Sequence, residues 1–110
     1  MESGNPLLAD ALQTKDMAAV AFALRHGATL VPHEDDAVWL HRGGSTGSGV
    51  LLLFSDARRV PESLPAPVAL TPAELRDALA ASEATAVIFD VAGPHPMSAE
   101  PADIIRVLDA

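Results

Sequence analysis

The chain contains no cysteine in its 110 residues, so disulfides and thiolate metal sites are excluded, and a cytoplasmic location is both permitted and expected. It is poor in positive charge. Lys15 is the only lysine, and 7 basic side chains stand against 15 acidic ones for a formal charge of −8. A field of that sign repels phosphate backbones and anionic bilayer surfaces, so neither nucleic acid nor membrane is an expected partner. Arg25, Arg42, Arg58, Arg59 and Arg76 lie singly or in one pair, and no basic stripe offsets the balance. Long apolar runs are lacking as well. None approaches the roughly 20 residues of a membrane helix, and the opening MESGNPLLAD has no basic region of the kind that starts a secretory signal. Abundant alanine with almost no lysine is the bias of a GC-rich bacterial genome, which is an association and not a physical inference. The length suits one domain spanning 1–110, with about two-thirds of its surface buried on folding.

What the chain does have is centred on GVLLLFSD at 49–56. Val50, Leu51, Leu52, Leu53 and Phe54 form an unbroken apolar run, the mark of a strand whose two faces are both covered. Upstream, Asn5 and Pro6 read as an N-cap with proline in the first turn of a helix. Leu8, Leu12, Ala19, Phe22 and Ala23 fall near one face, and Gly27 reads as a left-handed stop after Arg25 and His26. Residues 14–16 interrupt that face, so two short helices with Asp16 as the second cap are an open alternative.

Residues 28–33 predict a first strand, which Pro32 confines to an edge, an end or a bulge. Residues 38–41 predict a second, pairing Val38 with Leu40 on one face and Trp39 with His41 on the other. The glycine- and serine-rich stretch 42–48 joins it to the central strand as a loose hairpin. After Ser55 and Asp56 a helical turn is expected, then an extended crossing forced by Pro61, Pro65 and Pro67. A short strand holds Val68 and Leu70. Thr71, Pro72 and Glu74 spell a capping box for a helix that turns Leu75, Ala78 and Leu79 inward. Residues 86–91 predict a fifth strand, 93–97 a proline-bounded loop, and Ile104, Ile105 and Leu108 mark a last helix. The expected fold is α/β (α+β), a single mixed sheet of about five strands in the order α-β-β-β-(short helix)-β-α-β-α. If the strands at 68 and 86–91 are parallel neighbours, their crossover is right-handed.

Asp56 and Asp90 each end an apolar strand, where α/β enzymes place nucleophiles and ligands, and where aspartate also caps helices and forms turns. VIFDVA at 87–92 is superficially similar to the nucleophile strand of haloacid dehalogenase-type phosphatases, but Ala92 stands where their second aspartate belongs. His26, His33, His41 and His95 match no metal-ligand spacing. His33 with Glu34, Asp35 and Asp36 is the only local His/carboxylate cluster, and a solvated acidic turn accounts for it. GGSTGSG at 43–49 lacks the lysine and following helix of a phosphate loop, and no serine sits in a nucleophile elbow. Trp39, beside His41, suits either packing under a helix or an interface anchor.

Together, Asn5-Pro6-Leu7-Leu8, Leu30-Val31-Pro32, Leu53-Phe54-Ser55-Asp56 and Val87-Ile88-Phe89-Asp90 resemble the SseB N-terminal domain family over about 5–108. The family often shows Asn-Pro where this chain has Asp90-Val91, and the sequence holds no counterpart of the C-terminal domain of some members. The resemblance implies an α/β fold and a bacterial, cytoplasmic setting, and brings no catalytic residues. The leading expectation is a non-enzymatic module that binds a protein partner or itself as a possible homodimer, with Trp39 and His41 as candidate interface. No catalytic residue, cofactor or metal ligand is assigned. The second is a sensor of an amino acid or related metabolite, using Asp56, Asp90 and His95. A third, an acid/base hydrolase, requires Asp90 and His95 within hydrogen-bonding reach.

Overall fold

A computed structural model describes residues 5–35, 37–42, 49–82, 84–93 and 95–109. Local chemistry sets the helix starts. Asn5 caps α1 (Pro6–Thr14), its side chain accepting the Leu8 N–H at 3.1 Å. Lys15, left-handed at φ 55°, ends that helix, and Asp16 caps α2 (Met17–His26) by accepting from the Ala18 and Ala19 N–H groups. Of the two readings of this region the broken helix is the observed one. The break resets the helical phase. Val20, Ala23 and Leu24 turn inward on α2, whereas Phe22, expected inward, is 50% exposed and sets its ring 4.3 Å from that of His26.

Gly27 is not the left-handed stop its position suggests, because its backbone is extended (φ −153°, ψ 168°). Glycine is needed there for space. A Cβ would lie 2.7 Å from Asn5 Nδ2, and that amide is itself anchored on the Ala23 carbonyl at 3.0 Å.

The rest of the chain runs β1 (Thr29–Glu34), β2 (Ala37–Val38), β3 (Leu40–Arg42), β4 (Gly49–Leu53), a 3₁₀ turn (Ala57–Arg59), β5 (Pro67–Leu70), α3 (Pro72–Ala81), β6 (Ala84–Phe89), β7 (Met97–Ala99) and α4 (Pro101–Asp109). Thr71 and Glu74 close the expected capping box at the start of α3. The α+β class stands, but the single five-stranded sheet does not. Among the described residues seven strands form a three-stranded sheet, β2-β1-β5, and a four-stranded one, β3-β4-β6-β7. A reciprocal bridge, Leu30 N–H to Phe54 O at 3.2 Å and Phe54 N–H to Leu30 O at 2.9 Å, joins them.

Pro32 accounts for the split. It lies inside β1, the central strand of its sheet, and not at an edge. The Trp39 N–H donates to the Pro32 carbonyl at 2.9 Å, so the backbone groups of Pro32 face β2 and its missing N–H falls opposite Trp39. The β1–β2 ladder ends there, and from Leu40 the chain pairs with β4 instead. One predicted strand thereby becomes two, in different sheets. The strand at 67–70 pairs with β1, so among the described residues the only parallel pair is β4 with β6, and the condition for a crossover between 68 and 86–91 is not met. Residues 97–99, expected to border a loop, form an antiparallel strand on β6.

One face of the four-stranded sheet carries Leu40, Leu51, Leu53, Val87, Phe89 and Met97 into a core closed by all four helices. Arg76 on α3 reaches Asp109 on α4 at 2.9 Å across the outside of that layer. The opposite face holds a much smaller cluster, Leu30, Leu52 and Phe54.

Candidate functional site

The parallel strands β4 and β6 end side by side, and the Asp90 N–H donates to the Leu53 carbonyl at 2.8 Å. Asp90 then turns left-handed (φ 46°), a conformation that aspartate tolerates better than most residues. That turn swings its carboxylate back onto Ser55, where Oδ1 accepts the backbone N–H at 2.8 Å and Oδ2 the hydroxyl at 2.6 Å. The Ser55 carbonyl in turn accepts the Asn5 N–H. Asn5, Ser55 and Asp90 are 3%, 1% and 4% exposed, so one buried polar chain links the start of α1 to the ends of β4 and β6. Both carboxylate oxygens hold protein donors, and what this geometry does directly is clamp two strands.

Asp56 sits next to Ser55 but faces elsewhere. It caps the 3₁₀ turn by accepting the Arg58 N–H at 2.8 Å and pairs with the Arg58 guanidinium at 3.0 Å. The Arg58 side-chain hydrogen bonds, then its backbone N–H, hold the Asp56 carboxyl below its ordinary pKa against a small opposing effect of burial. His95 lies half-exposed beyond the turn closed by the Gly93 N–H on the Asp90 carbonyl. The structure thus makes Asp56 and Asp90 neighbours with different partners, and among the described residues no hydrogen bond joins His95 to either. Nor, among these residues, does any group of three His, Asp or Glu side chains converge as a metal site would require.

Trp39 and His41 lie on the other side of the sheet. The predicted alternation holds, with Val38 and Leu40 packed toward the helices. Trp39, half-buried, covers Leu30, Leu52 and Phe54. The exposed His41 ring lies 5.9 Å from the indole. Register places His41, Val50 and Ala86 in one row and Leu52, Ile88 and Ser98 in the next, all on the face away from the helices. The loop 43–48 leading from this face lies outside the described residues.

Three grooves lie on the surface of the described residues. One of about 470 Å³ runs between β2–β3 and α3, walled by His33, Val38, Leu40, Glu74 and Ala78. Another of about 480 Å³ lies against Glu34, Val38, Trp39 and Leu40. A third of about 470 Å³ opens between α1 and α2 beside Leu7, Asp10 and Phe22. His33 Nδ1 donates to the Val31 carbonyl at 2.8 Å, which makes Nε2 the acceptor of the neutral ring. The sequence predicts a solvated acidic turn at His33, whereas the structure sets its side chain on the wall of the first groove. The small residues that open the first one, Ala37, Ala78 and Ala81, are plain in the chain, but which elements face each other is not.

The family model of the SseB protein N-terminal domain matches residues 6–105. The chain belongs to that family. No curated protein and no solved structure matches it. In this SseB domain the matched span runs from the first turn of α1 into α4, so both sheets, the Asp90 clamp and the Trp39 face all lie inside it. Among the described residues no helix is long and apolar enough to cross a membrane.

Proposed function

We propose that this SseB domain is a non-enzymatic protein-interaction module, which receives a protein partner or a second copy of itself on the outer face of the four-stranded sheet around Trp39 and His41. The observation that carries this reading is the unequal cover of that sheet. A strand as apolar as β4, paired in parallel with β6, needs both faces shielded from water. Four helices shield one. The other has three buried apolar side chains and a half-exposed fringe of Trp39, Val50, Val60, Leu64 and Ile88. Tryptophan at such a margin offers a large contact area at low entropy cost, and its removal is typically among the most damaging changes an interface undergoes.

The acidic surface argues for a protein partner over nucleic acid, and we place the interaction in the cytoplasm with no cofactor. Metabolite sensing through Asp56, Asp90 and His95 has less support, since a ligand would have to displace Ser55 from Asp90. A thermal-shift screen addresses it, because a ligand of the native state raises its melting temperature.

Sedimentation equilibrium, together with affinity capture quantified by mass spectrometry, tests the interaction reading. Wild type is compared with Trp39→Ala, His41→Glu and, as a control on a distant surface, Phe22→Ala. Self-association or a specific partner should be lost in the first two and kept in the third. Association that ignores Trp39 and His41, or a monomer that captures nothing above background, contradicts the proposal.

A further inference from the structure

Building on the interaction reading, we infer that the partner docks by strand addition: an extended segment in which apolar residues alternate with Lys or Arg pairs with the outer edge of 37–42. Both β2 and β3 are terminal strands of their sheets. Because the Trp39 N–H points at the Pro32 carbonyl, the alternation of an extended backbone turns the N–H and C=O groups of Val38 and Leu40 the opposite way. Val38 and Leu40 stand opposite His33 and Leu51 on the inner side, and among the described residues no strand lies on their outer side. Two outward sets at alternate residues are what an incoming strand needs for its main-chain bonds.

The surroundings of this edge suit side chains as well as backbone. One groove lies between it and α3 and a second lies on its Trp39 side, both walled by Val38 and Leu40. Successive side chains of an added strand point to opposite faces, so they would enter these grooves in turn.

Other edges are less open to such pairing. On β5, Val68 and Leu70 stand in register with Val31 and Thr29. The outward positions are Ala69 and Pro67, and Pro67 has no N–H, a common device against strand addition. At the far side β7, 3 residues long, offers a shorter run than the continuous extended stretch 37–42. The edge at 37–42 contains neither proline nor lysine.

Charge selects the occupant. Glu34 stands on one groove and Glu74 on the other, with exposed Asp35 in the adjoining turn. A second copy of a chain carrying −8 would bring like charge against these carboxylates, whereas the Lys or Arg side chains of an alternating strand, which all fall on one face, would meet Glu34 on the Trp39 side while its apolar side chains enter the groove toward α3.

The test records amide spectra and hydrogen exchange of the ¹⁵N-labelled domain with a synthetic alternating Val/Lys peptide and its Val/Glu counterpart of equal length. The Val/Lys peptide should shift the amides of 37–42, slow exchange at Val38 and Leu40 by about tenfold or more, and weaken with added salt, while the Val/Glu peptide does nothing. Glu34→Lys, an exposed change that leaves the core untouched, should weaken Val/Lys binding and admit Val/Glu. Equal response to both peptides, shifts confined to the α1–α2 groove, no response at 37–42, or dilution-dependent shifts there without peptide would each overturn the inference. If the peptides fail while Trp39→Ala still abolishes association, strand addition falls and the interaction reading stands. If both fail, the reading itself falls.

Discussion

Replacing Asp90 by alanine should cost most of the stability that the junction of β4 and β6 supplies. The change takes away the acceptors of the Ser55 N–H and hydroxyl, at 2.8 and 2.6 Å, in a place where Ser55 is 1% exposed and water has no ready access. Each buried donor left without a partner costs about 1–3 kcal/mol, and alanine at φ 46° adds about 1 kcal/mol of backbone strain. Loss of the buried carboxylate also removes its own desolvation penalty, which trims the sum. A net loss of about 3–5 kcal/mol follows, set against a total of about 5–15 for a domain of this kind. Asp90→Asn keeps the shape, tolerates the left-handed backbone and retains one acceptor for the Ser55 N–H, so its cost should be only about 1–2 kcal/mol. Urea titration followed by the fluorescence of Trp39, the sole tryptophan, measures both. An alanine variant within about 1 kcal/mol of wild type would refute the clamp and return the Asp90 carboxylate to the pool of ligand-binding candidates.

Gly27→Ala should destabilise by about 1–3 kcal/mol through the clash with Asn5. Most of that loss should vanish when it is made in an Asn5→Ala background, and an additive double-mutant cycle would show the strain to lie elsewhere. Thr29 Oγ1 is buried without a hydrogen-bond partner, so Thr29→Val should be neutral or stabilising by up to about 1 kcal/mol; a clear loss of stability in thermal melts would mean the hydroxyl has a partner. The Asp56 carboxyl is depressed by Arg58, so its contribution to stability is present above the unfolded carboxyl pKa and is lost as pH falls through the lower folded value. Carboxyl-detected NMR titration should find the Asp56 pKa rising toward its ordinary value in Arg58→Ala, and an unchanged pKa would discount that pairing.

Much of this fold is written in local chemistry. Asn5-Pro6 and Thr71-Pro72 with Glu74 mark their helix starts because a cap involves only residues three or four apart, and the apolar run at 50–54 marks β4 because burial on two faces leaves no polar residues in it. What depends on distant partners is not legible in that way. Pro32 reads as an edge, end or bulge residue, yet only the position of Trp39 opposite it shows that its missing N–H ends one ladder and sends the chain to another sheet. Gly27 reads as a helix stop, and the reason for it is the Asn5 amide 22 residues earlier. Phe22 reads as inward on a continuous helix, although Val20, Ala23 and Leu24 carry the spacing of the second one. At the strand ends, Asp56 and Asp90 were visible as a pair, but Ser55, which holds Asp90, is an unremarkable residue until its burial is seen.

Whether the outer sheet face around Trp39 and His41 meets another protein is decided by site-specific photo-crosslinking inside cells. A photoreactive amino acid placed at position 41 should yield a discrete crosslinked species, either a dimer of the domain or a defined heteromeric adduct. The same group at position 22, on the α1–α2 surface, should not. Crosslinks from position 22 alone, or none from position 41 in cells that make the domain at its natural level, would contradict the claim.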